Sequence, residues 1–152
     1  MNHIVWSEDL STGIRVIDGQ HKRIIHYINQ LSDAQELDDR ELVGEVLVNL
    51  VDYTLSHFAF EESLMDDAEY SAADIHKKTH EAFRDKIKNY RERFEAGEDV
   101  AEELHKLLNV WLLDHIADDD SSYVPFVTQN IPGINTEEQS GWLKKKITQY
   151  FS

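Results

Sequence analysis

His57-Phe58-Ala59-Phe60-Glu61 and His76-Lys77-Lys78-Thr79-His80 each carry two metal-binding side chains four residues apart. Residues at that spacing project from one face of an α-helix, one turn apart. The apolar positions around both stretches keep the same register. Val43, Leu47, Leu50, Thr54, His57 and Glu61 follow one another at steps of four and three, and His76, His80, Phe83, Ile87, Tyr90 and Phe94 repeat the pattern. Upstream, His21, Ile24, Ile28 and Leu31 form one stripe; downstream, Leu104, Leu108, Trp111 and His115 form another. Such stripes are the buried seams of packed helices. The chain therefore reads as all-α, an up-down-up-down antiparallel four-helix bundle. Residues 1–17 are expected to form an N-terminal arm, 18–127 the bundle, and 128–152 a C-terminal extension with a short amphipathic helix.

Capping chemistry sets the expected boundaries. Asp18 can cap the first helix, Asp38 or Asp39 the second, and Ser71 the third. Residues 66–71 read as a connection, Gly97 ends the third helix, and Pro125 stops the fourth. In the extension, residues 137–151 can form a helix with Leu143, Ile147, Tyr150 and Phe151 on one side. That helix is expected to dock on the bundle. The basic run Lys144-Lys145-Lys146 leaves contact with a protein partner or an anionic membrane as the sharper alternative.

With 152 residues the chain is long enough to bury a core as one domain. No cysteine is present, which excludes disulfides, zinc ribbons and iron–sulfur clusters and suits a reducing, cytoplasmic setting. The first ten residues lack the basic start and apolar stretch of a secretory signal. No apolar run approaches the roughly 20 residues that span a bilayer, so no membrane partner is expected. A formal net charge of −15 argues against nucleic acid, whose phosphates it would repel.

Placed on the helices, the ligands converge. His21 falls near the start of the first helix, His57 and Glu61 near the end of the second, His76 and His80 near the start of the third, and His115 near the end of the fourth. In an antiparallel bundle these positions share one end. Five imidazoles with carboxylates are too many donors for one ion and suit two. A second carboxylate lies in Asp118-Asp119-Asp120. Asp120 is five residues past His115, about 140° off on an ideal helix, and can reach the site only through a distortion such as a π-bulge. Asp119 has the easier spacing, and spacing alone does not choose between them. Any one of these histidines alone reads most simply as a hydrogen-bonded core residue; five on converging faces do not, since burying them unpaired costs several kcal/mol. His3, His26 and His105 fall outside the pattern and read as surface or incidental. His76-x-x-x-His80 lacks the Glu of the zincin helix, and the donor set is richer in nitrogen than ferritin-like carboxylate sites.

At this point the residues resemble the hemerythrin family, specifically its single-domain bacterial members. The matching motifs are Ile17-Asp18-Gly19-Gln20-His21-Lys22, His57-Phe58-Ala59-Phe60-Glu61-Glu62 with Leu64-Met65, His76-x-x-x-His80-x-x-Phe83, and His115-Ile116-x-x-x-Asp120-x-x-Tyr123. They span roughly residues 5–127. Ser71 stands where relatives often have proline, a loop difference remote from the ligands. The resemblance implies two iron ions in an oxo- or hydroxo-bridged non-haem centre that binds dioxygen reversibly, for storage, delivery or sensing. It implies that His76, His80 and His115 hold one iron, that His21 and His57 hold the iron with an open position, and that Glu61 and Asp120 bridge them. It thereby favours Asp120 over Asp119. Ile24, Phe58, Trp111 and Ile116 neighbour the ligands and are candidates to line the oxygen pocket; ordinary core packing is the alternative for each. The expected protein is a monomeric oxygen binder, not an enzyme. The competing reading is a di-iron oxidase, or a peroxide or nitric oxide reductase, on the same residues.

Overall fold

Four long helices carry the stripes. In the computed structural model α1 spans Arg15–Glu36, α2 Arg40–Asp67, α3 Ala73–Glu95 and α4 Ala101–Asp114, followed by α5 at Ser121–Asn130 and α6 at Ser140–Phe151. The structure describes residues 3–116, 121–131, 134 and 140–151, and no strand occurs among them. Helix α1 lies against α2 and α4, and α2 also against α3. The loops between them are short, so successive helices run antiparallel. A single 3-10 turn, Glu8–Leu10, precedes the bundle.

Two apolar clusters fill the interior. The larger joins Ile24, Ile28 and Leu31 of α1, Leu47, Leu50 and Phe58 of α2, Phe83 and Ile87 of α3, and Leu104, Leu108 and Leu112 of α4. The second, at one end, joins Ile14 and Ile17 to Phe60, Leu64, Met65, Tyr123 and Val127. Each fully buried aliphatic or aromatic side chain stabilises by about 1.5–3 kcal/mol relative to exposure. The histidines fall between the clusters: His21 lies between Ile17 and Ile24, and His57 is followed by Phe58 and Phe60. The histidine layer is thereby closed by apolar packing above and below.

Helix ends follow local chemistry, with differences from the expected caps. Asp39 caps α2, accepting from the Leu42 N–H at 3.1 Å, while Asp38 takes a left-handed φ of 51°. Gly97 has φ of 101° and closes α3 in a Schellman turn, with its N–H on Phe94 O and the Glu98 N–H on Arg93 O. Asp18 does not cap α1, which already begins at Arg15. Its carboxylate instead accepts from the Thr12 N–H and hydroxyl, both at 2.8 Å, and from the Ser11 hydroxyl, tying the arm to the helix. Ala72, not Ser71, occupies the cap of α3, and no side chain caps it. Pro125 does not stop a helix either: it lies inside α5.

Helix α6 packs along α2. The Lys146 ammonium donates to the Ser63 hydroxyl at 2.8 Å and lies 3.4 Å from Asp67. Phe151 sits 5.1 Å from Tyr53 and 6.0 Å from Phe60, ring centre to ring centre. Leu143 and Tyr150 also face the end cluster. Ile147, expected on the same side, is instead 42% exposed. Residues 135–139, where the helix was expected to begin, lie outside the described residues. Among the described residues no helix is long and apolar enough to cross a membrane.

Candidate metal centre

Six of the seven expected ligands meet in one buried layer. His21 comes from α1, His57 and Glu61 from α2, His76 and His80 from α3, and His115 from the residue that follows α4. All six are buried, with His21, His57, Glu61 and His80 at 0% exposure. Glu61 Oε1 lies 3.2 Å from His57 Nε2, 3.2 Å from His80 Nε2 and 3.6 Å from His115 Nε2. The Nε2 atoms of His80 and His115 are 3.4 Å apart. The His21 and His57 rings meet edge to face at 4.9 Å, and His76 meets His80 the same way at 4.7 Å. Two groups able to hold an ion result: Glu61, His76, His80 and His115; and His21, His57 and Glu61, each with one ligand atom per residue within 4.8 Å of the others. Glu61 belongs to both.

Asp120 lies outside the described residues, as do Asp118 and Asp119. The backbone of His115 and Ile116 is π-helical, the kind of distortion that a five-residue spacing calls for.

Electrostatics favour a charged carboxylate at the centre. Burial pulls Glu61 upward, but its electrostatic interaction with His57 and the polar contacts with His115, His57 and His80 outweigh it and hold the carboxyl well below the usual range. Burial also pushes His80 down, and Glu61 and Glu62 more than offset it. Glu62 is held at about 2: burial raises it, and the His80 and Arg84 contacts lower it further. The donor set fits a metal pair. Nitrogen-rich ligands, a shared carboxylate and exclusion of water suit borderline transition ions, which would replace the hydration these groups lose on burial.

Supporting contacts surround the ligands, and the sequence did not mark them. The His57 Nδ1–H donates to Gln20 Oε1 at 2.6 Å, which directs Nε2 inward. The Tyr123 hydroxyl donates to Glu61 Oε2 at 2.8 Å, leaving Oε1 to face the imidazoles. Glu62 Oε1 stands 3.8 Å from His80 Nδ1 and is clamped by Arg84 at 2.6 and 3.2 Å. Gln20 and Tyr123 stand within the family motifs, which give them no role; among 30 acidic residues nothing marked Glu62. Of the expected pocket residues, Ile24, Phe58 and Ile116 are buried. Phe58 lies flat on the His80 ring at 4.1 Å, and Trp111 flat on the His115 ring at 4.6 Å. His3 and His26 are exposed, as expected, with His3 Nε2 2.6 Å from Asp33. His105 is buried rather than superficial, at 5% exposure.

An antiparallel helical bundle with a buried histidine-rich cluster able to hold two ions defines a class of metal-binding proteins. Residues 12–127 match the family described as "Hemerythrin HHE cation binding domain", and the chain belongs to the hemerythrin family. It is 49% identical over 152 residues to a bacteriohemerythrin of Pseudomonas aeruginosa (strain LESB58), covering 99% of each chain. It is 46% identical over 149 residues to one of Stenotrophomonas maltophilia (strain R551-3), covering 97% of each. The fold superposes on a crystal structure of wild-type hemerythrin with a TM-score of 0.80 and 28% identity, over 83% of this chain and 98% of that one.

Proposed function

We propose that this chain binds dioxygen reversibly at a non-haem di-iron centre, for storage, delivery or sensing, and is not an enzyme. The observation that carries the reading is Glu61, buried and shared between two sets of imidazoles. When bound, the iron pair supplies the electrons that reversible dioxygen binding requires. In this reading His76, His80 and His115 hold one iron. His21 and His57 would hold the other. Glu61, which belongs to both groups, and Asp120 would serve both irons.

The protein's own part is orientation and exclusion. Gln20 fixes the His57 tautomer, so that Nε2 faces inward with its lone pair available. Tyr123 holds one Glu61 oxygen and thereby aims the other. Ile24, Phe58, Trp111 and Ile116 form an apolar wall that keeps bulk water and its protons from the centre. A cytoplasmic setting belongs to the same reading and rests on the cysteine-free composition.

The test is metal analysis followed by optical spectra of the reduced protein through cycles of air and deoxygenation. The expected outcome is about two irons per chain and a visible charge-transfer band that appears in air and vanishes on deoxygenation. Iron that oxidises once and stays oxidised would point to redox catalysis instead. A chain without iron would sink the reading.

A further inference from the structure

His80 is held edge-on between two consecutive carboxylates of α2. Glu61 Oε1 stands 3.2 Å from its Nε2, the nitrogen that faces the centre. Glu62 Oε1 stands 3.8 Å from its Nδ1, on the far side of the ring. Phe58 covers one face at 4.1 Å, with planes 14° apart. The residue is completely buried, and Nδ1 has no hydrogen-bond partner among the described residues. At 3.8 Å the Glu62 carboxylate is too far to supply one, since N–H···O bonds span about 2.7–3.2 Å. His57 differs: its Nδ1–H donates to Gln20 at 2.6 Å.

Arg84 holds Glu62 at that distance. It lies one turn beyond His80 on the same face of α3. Its Nη1 donates to Glu62 Oε1 at 3.2 Å and its Nη2 to Oε2 at 2.6 Å, so both carboxylate oxygens are engaged. The same guanidinium lies over the Phe58 ring, 5.6 Å from its centre. The pair is partly buried, with side-chain exposures of 23% and 17%, where charges are screened less than on the open surface. Glu81 and Asp85, beside Arg84 on α3, are exposed, and among the described residues Arg84 pairs with Glu62 alone. Lys77, the other cation near Glu62, is bound to Asp66 at 2.8 and 2.9 Å.

We infer that Glu62 is the positioning residue for His80 and that Arg84 sets how strongly it acts. The inference rests on the reading of this layer as a metal centre; it requires an ion, and not dioxygen. An ion on Nε2 fixes the ring proton on Nδ1. That N–H is then a buried donor, which is costly to leave unpaired. Glu62 Oε1 is the acceptor placed beside it, and a shift of about 1 Å brings it within range. A carboxylate on that proton holds the ring in place and makes Nε2 a stronger ligand. Arg84 opposes both effects, because it engages the carboxylate oxygens and offsets their charge. The ligand strength of His80 is therefore set by how Glu62 is divided between imidazole and guanidinium.

The probe is Co(II), loaded into the full chain and withdrawn by competition with a chelator, with its visible ligand-field bands as the readout. Glu62→Gln should weaken Co(II) retention about tenfold. Arg84→Gln should strengthen it about threefold, because the freed carboxylate gives the imidazole a full charge-assisted bond. Both substitutions break the same ion pair. A pair that merely ties α2 to α3 would lower Tm and retention alike in the two variants, and that outcome overturns the inference. The double variant separates action through Glu62 from direct repulsion of the ion by Arg84. Acting through Glu62, Arg84→Gln adds nothing in the Glu62→Gln background; a further gain of about threefold there overturns the role given to Arg84. Retention equal to wild type in Glu62→Gln overturns the role given to Glu62, and so does a wild type that takes up no Co(II). Opposite shifts in the two single variants, in a protein that fails the cycles of air and deoxygenation, uphold this inference and sink the dioxygen reading alone.

Discussion

Two hydrogen bonds set how His57 and Glu61 point. The Tyr123 hydroxyl is the described donor to Glu61 Oε2, at 2.8 Å in a buried site. Removing it leaves a carboxylate oxygen buried without that partner, at a cost of about 1–3 kcal/mol. Tyr123→Phe and Gln20→Leu should each weaken iron retention about tenfold to a hundredfold, measured by competition with a chelator, with the helical content unchanged. Retention equal to wild type in both would mean that helix packing alone orients the ligands. Asp120 and Asp119 make a second prediction at this scale. Asp120→Ala should lose iron and its visible band while Asp119→Ala keeps both; the reverse result would reassign the second bridge.

At the scale of elements, the site depends on where each helix starts and how it turns. Helix α2 carries both His57 and Glu61, and its first turn is held by Asp39. Asp39→Ala should cost about 1 kcal/mol, seen as a drop in Tm of about 2–4 °C in a chain of this size. The cap lies far from the ligands, so iron content should stay at the wild-type level. An unchanged Tm would show that packing, not capping, holds this end. Close approach matters at the same end: a Cβ on Gly44 would stand 3.0 Å from the Phe94 ring, which would have to give by a few tenths of an ångström to admit it. At the other end, α4 gives way at His115 and Ile116 to a π-helical turn. The helix expected to run on to Pro125 leaves regular α-helical geometry at His115, one of the expected ligands.

Across the whole molecule, α6 acts as an outer layer on α2. Tyr53 lies under Phe151, and burial pushes its phenol up to about 12, with Arg23 opposing and Tyr27 adding to the shift. The sign follows from linkage. A neutral phenol whose folded pKa exceeds its unfolded value near 10 stabilises the fold fully below pH about 10, and that contribution is lost as pH rises through about 12. Removal of residues 132–152 should bring the Tyr53 titration down toward 10, read as tyrosinate absorbance after subtraction of the Tyr53→Phe variant. A titration that does not move would assign the burial to α1 rather than to α6.

The sequence by itself determined the helices, their order and the convergence of the five histidines with Glu61. Ligand spacing of four and seams at steps of three and four are properties of the α-helix, and short loops force neighbours to be antiparallel. His21, His57, Glu61, His76, His80 and His115 were therefore legible before any coordinates. Only the tertiary structure decided the contacts between elements distant in sequence: Gln20 on His57, Tyr123 on Glu61, Arg84 with Glu62 behind His80, and Trp111 stacked on Phe83. The same was true of the Ala72 cap, the place of Pro125 and the burial of His105. Helical periodicity states which face a residue occupies. It does not state which atom on a neighbouring helix lies within hydrogen-bonding or stacking distance, because that depends on how the packed helices are rotated and shifted against one another.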